Sequence, residues 1–543
     1  MAPVEEQARN RHSQMSDPDY PRRGLTEEAR DDVRTVAKGG AVQVAGQISQ
    51  RGLSFLFTFI ALRAIGAVNY GLYRIVVQVL AIAAQIALAG YNYAAMRWIA
   101  RARATQDPGG VKGAARVGIN GAAVGSAIVV VVLLLGAGPI MSAFGDDPSQ
   151  SEDLTGLLRI GVLYVPLFSL MQVLRYCTQA YKTMVPSVVA GNIVQPVFRF
   201  VVGSAILAFG VFVVDASREV LTIATLLTLA LSYGVGAVVA GWYFRRLLEP
   251  KERTAVARGD GRAMTRFALP QAGASLLGIQ TLGLGILLLG SLSGSVVDVT
   301  LFSIALSLQG PANVFLGGIV NIWAPMVSDL HGRGEIARLG SLYPTINRWI
   351  FTFSFPVTLS LLIVPDLYVR LFAGSEGAGA APVVAVLAIG NLFYTGTGPT
   401  GYVISMTGRP HINLINSVIS VALYVALGII VVPEHGALGM AAVDAGVTAL
   451  VNSVRVVQAK VLVGIQPFGR TFYKPVVAGL AGGAVLLAVR LVLGSAIGIE
   501  LAGLVAGAIT YLGALRLLGL DDEERAVFER IKLRAFRRGE KRR

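Results

Sequence analysis

The chain has 543 residues, 54% of them apolar and only 15% charged, and its mean hydropathy is +0.63. That composition excludes an ordinary soluble protein and a disordered one. The formal charge of +15 comes from 47 Lys and Arg against 32 Asp and Glu. In so apolar a chain this excess points to basic cytoplasmic loops rather than to nucleic acid. The single cysteine, Cys177, excludes an intrachain disulfide framework, and His12, His331, His411 and His435 fall in gaps or at helix ends. No metal site and no cofactor is expected.

Residues 1–37 are polar, carry Pro3, Pro18 and Pro21, and read as a disordered cytoplasmic tail rather than a signal peptide. From there apolar segments of roughly 20 residues recur, the length that crosses a 30 Å hydrocarbon core. They lie near 38–63, 71–99, 113–136, 154–180, 186–213, 219–244, 268–290, 298–325, 344–366, 381–406, 412–432, 437–459, 475–493 and 499–519. The expected fold is an all-α polytopic membrane protein of about 14 transmembrane helices. With the N-terminus inside, the outer gaps hold only Arg218 and Arg370 among basic residues, and the outer gap 137–153 is acidic. The inner gap 245–267 is basic, so both termini are placed in the cytoplasm of an inner or plasma membrane.

That gap divides the chain into an N-terminal lobe (38–244), a basic linker (245–267) and a C-terminal lobe (268–460), followed by two further spans (461–519) and a basic cytoplasmic tail (520–543). A shift of 229 residues maps Leu72-Tyr73 onto Leu301-Phe302, Ile75 onto Ile304 and Asn92 onto Asn321. Two related six-helix lobes around a central cavity suit alternating access. The tail carries more bases than acids and is read as a contact for anionic lipid headgroups, or as a solvated topology signal.

Polar residues inside the spans fall on helical faces. Gln43, Gln47, Gln50, Arg51, Ser54 and Thr58 share one face of the first span; Arg74, Gln78, Gln85 and Asn92 share one face of the second. The fourth span has Gln172, Arg175 and Gln179, the fifth Asn192, Gln195 and Arg199, the eighth Asn313 and Asn321, and the twelfth Asp444, Thr448, Asn452 and Arg455. Any one amide can be interhelical glue. Snorkelling accounts for Arg63, Arg97, Arg159, Arg490 and Arg516 near span ends, but poorly for Arg51 and Arg199. Asp444 is the one acid well inside a span, too few to neutralise Arg51, Arg74, Arg175, Arg199 and Arg455. The interior is therefore expected to be cationic and to take an anionic cargo, since arginine suits phosphate. Asp444 either pairs with an arginine such as Arg455 or is a proton- or sodium-coupling site. Pro166, Pro196, Pro311, Pro356, Pro399 and the run 394–401 weaken their helices locally. No P-loop, GxSxG or His–carboxylate cluster is present, so no catalytic residue is assigned and a transporter rather than an enzyme is expected.

The stretch Ala61-Leu-Arg-Ala-Ile-Gly-Ala-Val-Asn-Tyr-Gly-Leu-Tyr73 resembles the loop after the first helix of bacterial and archaeal polysaccharide flippases. Gly90-Tyr-Asn-Tyr-Ala-Ala-Met-Arg-Trp-Ile-Ala100, Thr407-Gly-Arg-Pro410 and Pro433-Glu-His-Gly-Ala-Leu-Gly-Met-Ala-Ala442 resemble later segments of the same family, part of the multidrug/oligosaccharidyl-lipid/polysaccharide superfamily. The resemblance covers most of 38–519. It implies a flippase moving polyprenyl-pyrophosphate-linked oligosaccharide from inner to outer leaflet for cell-surface polysaccharide such as O-antigen or exopolysaccharide. Polysaccharide polymerase and glycosyltransferases are its implied partners. On that reading Arg51, Arg74, Arg175 and Arg199 hold phosphate or acidic sugar, and Gln47, Gln78, Asn92 and Asn321 make polar contacts. The rival readings are a multidrug (cation/drug) antiporter or a lipid II flippase of the same superfamily, and, from a different class, a membrane-embedded synthase or glycosyltransferase.

Overall fold

The computed structural model describes residues 27–144, 148–181, 183–277, 283–293 and 295–519, with the backbone alone at 27–41, 271, 273–277, 321, 322 and 325. The tail 520–543 and residues 1–26 lie outside the described residues; 27–37, expected in the tail, belong to a helix. The N-terminal half comprises α1 (Glu27–Leu88), α2 (Tyr91–Ala104), α3 (Pro108–Met141), α4 (Pro148–Gly161), α5 (Tyr164–Gln179), α6 (Val185–Val188), α7 (Gln195–Phe209) and α8 (Arg218–Leu247). A short α9 (Pro250–Thr254) leads to α10 (Gly261–Leu277), α11 (Leu284–Leu292), α12 (Val296–Gly332), α13 (Ile336–Ile363), α14 (Pro365–Ala373), α15 (Ala380–Thr397), α16 (Thr400–Met406), α17 (Pro410–Val463), α18 (Tyr473–Leu493) and α19 (Ile497–Leu517). In lipid every backbone polar group must be satisfied within its own segment, which is why the apolar runs become helices.

Among the described residues eleven stretches are long and apolar enough to cross a membrane, and two of them are double. The stretch 42–104 turns back at Gly66 (φ 80°) and 410–463 at Gly436 (φ 51°), conformations open to glycine at little cost. The interrupted pair α10–α11 supplies the remaining crossing, which agrees with the expected fourteen. Charged side chains fill both turns: a Cβ on Gly66 would overlap Arg218, and one on Gly436 would overlap Asp298. We call the end of the bundle carrying these turns the crown, and the end carrying 245–260 the base.

Other breaks have local causes. A π-helical turn at Val189–Val194 precedes Pro196, which has no N–H to continue the ladder. Gly398 (φ 63°) and Pro399 part α15 from α16, as the Gly- and Pro-rich run at 394–401 suggests. The Asn347 amide bridges that break, donating to Gly396 O at 2.7 Å and to Pro467 O at 3.2 Å.

The two halves meet along α1 and α12. Residues related by the 229-residue shift touch each other near the crown. Arg74 Nε donates to Ser303 Oγ at 3.3 Å, and a Cβ on Gly71 would sit 2.9 Å from Thr300 Oγ1. Equivalent positions of two copies can meet only beside the axis that relates them. The surrounding Tyr73, Ile75, Phe302 and Ile304 are buried in the main core.

Four further contacts close the crown. Arg63 Nη2 donates to Leu371 O at 2.9 Å and Thr300 Oγ1 to Ala67 O at 2.6 Å. Glu376 accepts from Ala67 N at 2.7 Å and pairs with Arg218 at 3.4 Å. The hairpin α18–α19 is fastened there too. Arg370 pairs with the wholly buried Glu500 at 2.5 Å and Arg490 with Asp366 at 2.7 Å, so Arg490 is an ion-pair partner rather than a snorkelling residue.

At the base the linker is a strap docked on the N-terminal half. Arg258 N donates to Gly109 O at 2.9 Å and Lys112 Nζ to Arg253 O at 3.0 Å. Glu249 and Glu252 form a capping box on α9, and Glu252, 5% exposed, also meets Arg103 at 3.4 Å and the Tyr181 hydroxyl at 2.8 Å. Burial first and then the Glu252 carboxylate hold Tyr181 above the ordinary phenol range, so it remains a donor.

Candidate functional site

The interior arginines fall into three settings. Arg175 is built into the N-terminal half. Its Nε donates to Ser187 O at 3.1 Å and Ser187 Oγ at 3.2 Å, Nη1 to Gln172 Oε1 at 3.2 Å and Nη2 to Asn192 Oδ1 at 3.1 Å. The guanidinium lies where a Cβ on Gly191 would be, in the groove opened by the π turn. Four acceptors leave it little capacity for a ligand.

Arg199 stacks on Phe57 at 4.5 Å and donates through Nη2 to the Tyr73 hydroxyl at 2.8 Å. Its Nε meets no partner among the described residues. Arg74, by contrast, reaches across the interface to Ser303. Both act electrostatically on Tyr70, which sets them together on the crown side of the interior.

Arg51 belongs to the second cluster. It is exposed in the cleft between α1 and α12, lies over Gly317, and donates through Nη1 to Asn313 O at 3.1 Å. Arg455, from α17, lies against Gly401 with Nε unpartnered among the described residues. Both act electrostatically on the Tyr394 hydroxyl of α15. The two guanidinium groups come from opposite halves, Arg51 against Gly317 and Arg455 against Gly401. No carboxylate lies within ion-pair distance of either among the described residues.

Asp444 does not form the expected pair with Arg455. Its Oδ2 accepts from the Tyr424 hydroxyl at 2.9 Å, within the hairpin of α17, and that hydroxyl packs against Gly285 of α11. Asp444 and Arg455 are three turns apart on one helix, too far for side chains to meet. Gln47 lies one turn from Arg51 and is half-buried. Gln78 is 7% exposed, packed on Gly283, with Nε2 unpartnered among the described residues. The Asn321 side chain lies outside the described residues. Asn92 lies beyond a break in the helix at Ala89 (φ 44°) and Gly90 (φ 75°), yet it lines one cavity together with Gln85 of the same sequence stripe. A larger apolar cavity, about 1120 Å³, lies between α13, α18 and α19, lined by Phe353, Pro356, Leu486, Leu504 and Tyr511 among others.

A family model described as "Polysaccharide biosynthesis protein" matches residues 36–331, more than half of the chain. The chain belongs to that family. Its fold is similar to a solved structure titled "Lipid II flippase MurJ, inward closed conformation", with a TM-score of 0.70 and 12% identity over 88% of this chain and 98% of that one. It is also similar to an inward-facing multidrug resistance MATE family transporter of the MOP superfamily, at TM-score 0.66 and 12% identity over 78% of this chain and 98% of that one. A MATE structure in complex with MaL6 gives 0.54 at 12% identity over 79% and 96%. At such identities the likeness shows the shared fold. No curated protein sequence matches the chain. The expected multi-span helical membrane fold therefore stands, in a chain of the polysaccharide biosynthesis family.

Sequence reasoning missed several members of these sites. Tyr394 looked like part of a helix breaker, yet Arg51 and Arg455 both act on it electrostatically. Glu376 was lost in a glycine-rich gap. Tyr93 and Tyr176 carried no periodic signal. The aromatic run around Asn92, Tyr91-Asn92-Tyr93, was the available hint.

Proposed function

We propose that this protein is a flippase carrying polyprenyl-pyrophosphate-linked oligosaccharide from the inner to the outer leaflet by alternating access, for cell-surface polysaccharide. The observation that carries this reading is the pair Arg51 and Arg455, one from each half, seated against Gly317 and Gly401 with no carboxylate in ion-pair distance among the described residues. Such a site suits a pyrophosphate, whose oxygens accept from planar guanidinium forks. It opposes a cation-exporting reading, which needs interior acids where this chain has Asp444. Arg74 and Arg199 form a second cationic station nearer the crown. The apolar cavity between α13, α18 and α19 offers space to an isoprenoid chain.

On this reading the lobes 38–244 and 268–460 are the moving bodies, and the base with both termini faces the cytoplasm, in keeping with the basic gap at 245–267. Anionic headgroups, a polymerase and glycosyltransferases are the expected neighbours. Lipid II is the competing cargo. Asp444, which accepts from the Tyr424 hydroxyl within the membrane, is the residue we assign to proton coupling.

The deciding experiment follows uptake of a fluorescent polyprenyl-pyrophosphate oligosaccharide into inverted membrane vesicles. Arg51→Ala and Arg455→Ala are each expected to cut transport at least tenfold at normal protein levels. Undiminished transport in both would refute the site. Absence of wild-type transport alongside expulsion of a cationic dye would refute the function.

A further inference from the structure

The N-terminal half contains a second polar hollow, separate from the cationic cleft. It exists because α1 stops at Leu88 and the chain restarts as α2 after Ala89 and Gly90. At that break α10 packs on bare backbone: a Cβ on Gly90 would overlap the Ala268 carbonyl. The Tyr91 hydroxyl is 2.9 Å from Thr265 Oγ1, which fixes the crossing. The space left between the end of α1, α2, α5 and α10 is a cavity of about 230 Å³.

Its polar lining among the described residues is Gln85, Asn92, Gln172, Tyr93 and Tyr176, all neutral. The two phenol rings stand edge to face, with centroids 4.9 Å apart. Asn92 is 4% exposed and its Oδ1 meets no hydrogen-bond partner among the described residues. A buried carbonyl oxygen without a donor calls for an explanation, and a ligand hydroxyl supplies one.

We propose that this cavity is a sugar subsite, holding one neutral pyranose ring of the lipid-linked oligosaccharide. The proposal rests on the flippase reading and adds a position for the glycan. Carboxamides offer a donor and an acceptor on one group, as sugar hydroxyls and an N-acetyl group require. Aromatic rings cover the apolar C–H face of a pyranose and keep their own hydroxyl tips polar. The volume lies below the roughly 300 Å³ at which drug-sized pockets begin, so it admits one ring and not a chain. Past Tyr93 a second cavity of about 480 Å³, bordered by Arg97 and Gln179, gives the following sugars a way out.

The subsite is tied to the cationic cleft by hydrogen bonds. Gln172 Oε1 accepts from Arg175, whose Nη2 donates to Asn192 Oδ1 at 3.1 Å, and Asn192 Nδ2 donates to Gln50 Oε1 at 2.5 Å. Gln50 adjoins Arg51 in α1. One rigid network therefore fixes the spacing between the groups that hold phosphate and those that hold sugar.

The test uses the full chain in nanodiscs and two probes: a polyprenyl pyrophosphate, and the same lipid bearing one N-acetylhexosamine. The wild type is expected to bind the sugar-bearing probe more tightly. Asn92→Ala and Gln172→Ala should each cut that advantage roughly three- to tenfold, with the Kd for the bare lipid unchanged, which also reports a folded protein. Where Asn92→Ala does not fold, Gln85→Met removes a lining amide at similar volume. An advantage that survives all three substitutions, or that the wild type lacks while binding the bare lipid, overturns the sugar subsite alone. Failure of the wild type to bind either probe overturns the flippase reading and the subsite with it.

Discussion

Removing the Glu376 carboxylate should release the crown. Both oxygens of Glu376 grip the opposite half: Oε2 accepts from Ala67 N at 2.7 Å and Oε1 faces Arg218 at 3.4 Å. A backbone hydrogen bond to a charged acceptor contributes about 1.5–3 kcal/mol. The ion pair adds a few tenths of a kcal/mol, because the Arg218 side chain is 60% exposed. Glu376→Ala therefore shifts the balance between closed and open crown by about 2–3 kcal/mol, or roughly 30- to 150-fold. Ser303→Cys makes a suitable reporter, since Ser303 is 1% exposed beside Arg74 and the chain's own Cys177 is fully buried. A membrane-impermeant maleimide applied from the crown side should label the double variant tens of times faster than Ser303→Cys alone. Glu376→Gln, which keeps an acceptor for Ala67 N, should fall between. Equal labelling rates with and without Glu376 would refute the claim that this contact holds the crown shut.

Arg175→Ala strips a donor from Ser187, Gln172 and Asn192 together and should lower stability by about 2–4 kcal/mol, read as a fall in Tm by intrinsic fluorescence. An unchanged Tm would show that the network is dispensable. Glu252→Gln weakens the strap at Arg103 and at Tyr181, and trypsin should then cut between 251 and 258 several-fold faster in the detergent-purified protein. Asp444→Asn should abolish the pH dependence of transport while Tyr424 retains a hydrogen-bond acceptor. A pH profile like that of the wild type would leave Asp444 as a structural anchor. Alanine at Arg51 or Arg455 tests the cargo itself, as set out above.

The crossings were legible because a membrane imposes one length on every helix, and charge then orders the gaps. The contact of Arg74 with Ser303 falls at the 229-residue offset noted in the sequence. Periodicity did not reveal where a helix stops. Arg74, Gln78, Gln85 and Asn92 fit one face of an unbroken helix; a turn at Ala89 and Gly90 lies between Gln85 and Asn92, which still line one cavity. The grouping of cations was beyond the sequence. Arg51 and Arg455 belong to different halves, and only tertiary packing through α12 and α15 brings both within electrostatic reach of Tyr394. Asp444 found a tyrosine rather than an arginine, a choice set by the hairpin at Gly436.

The fastening of α18–α19 has a consequence for how the protein moves. With Arg370 on Glu500 and Arg490 on Asp366, the last two helices are riveted to the C-terminal half at the crown, and Lys474 Nζ donates to Gly519 O at 2.8 Å at the other end of the hairpin. On the flippase reading proposed above, the two rocking bodies are unequal, six crossings against eight, because α18 and α19 move with the C-terminal half. The cavity they line then travels with that half, as a berth for the lipid tail of the proposed cargo.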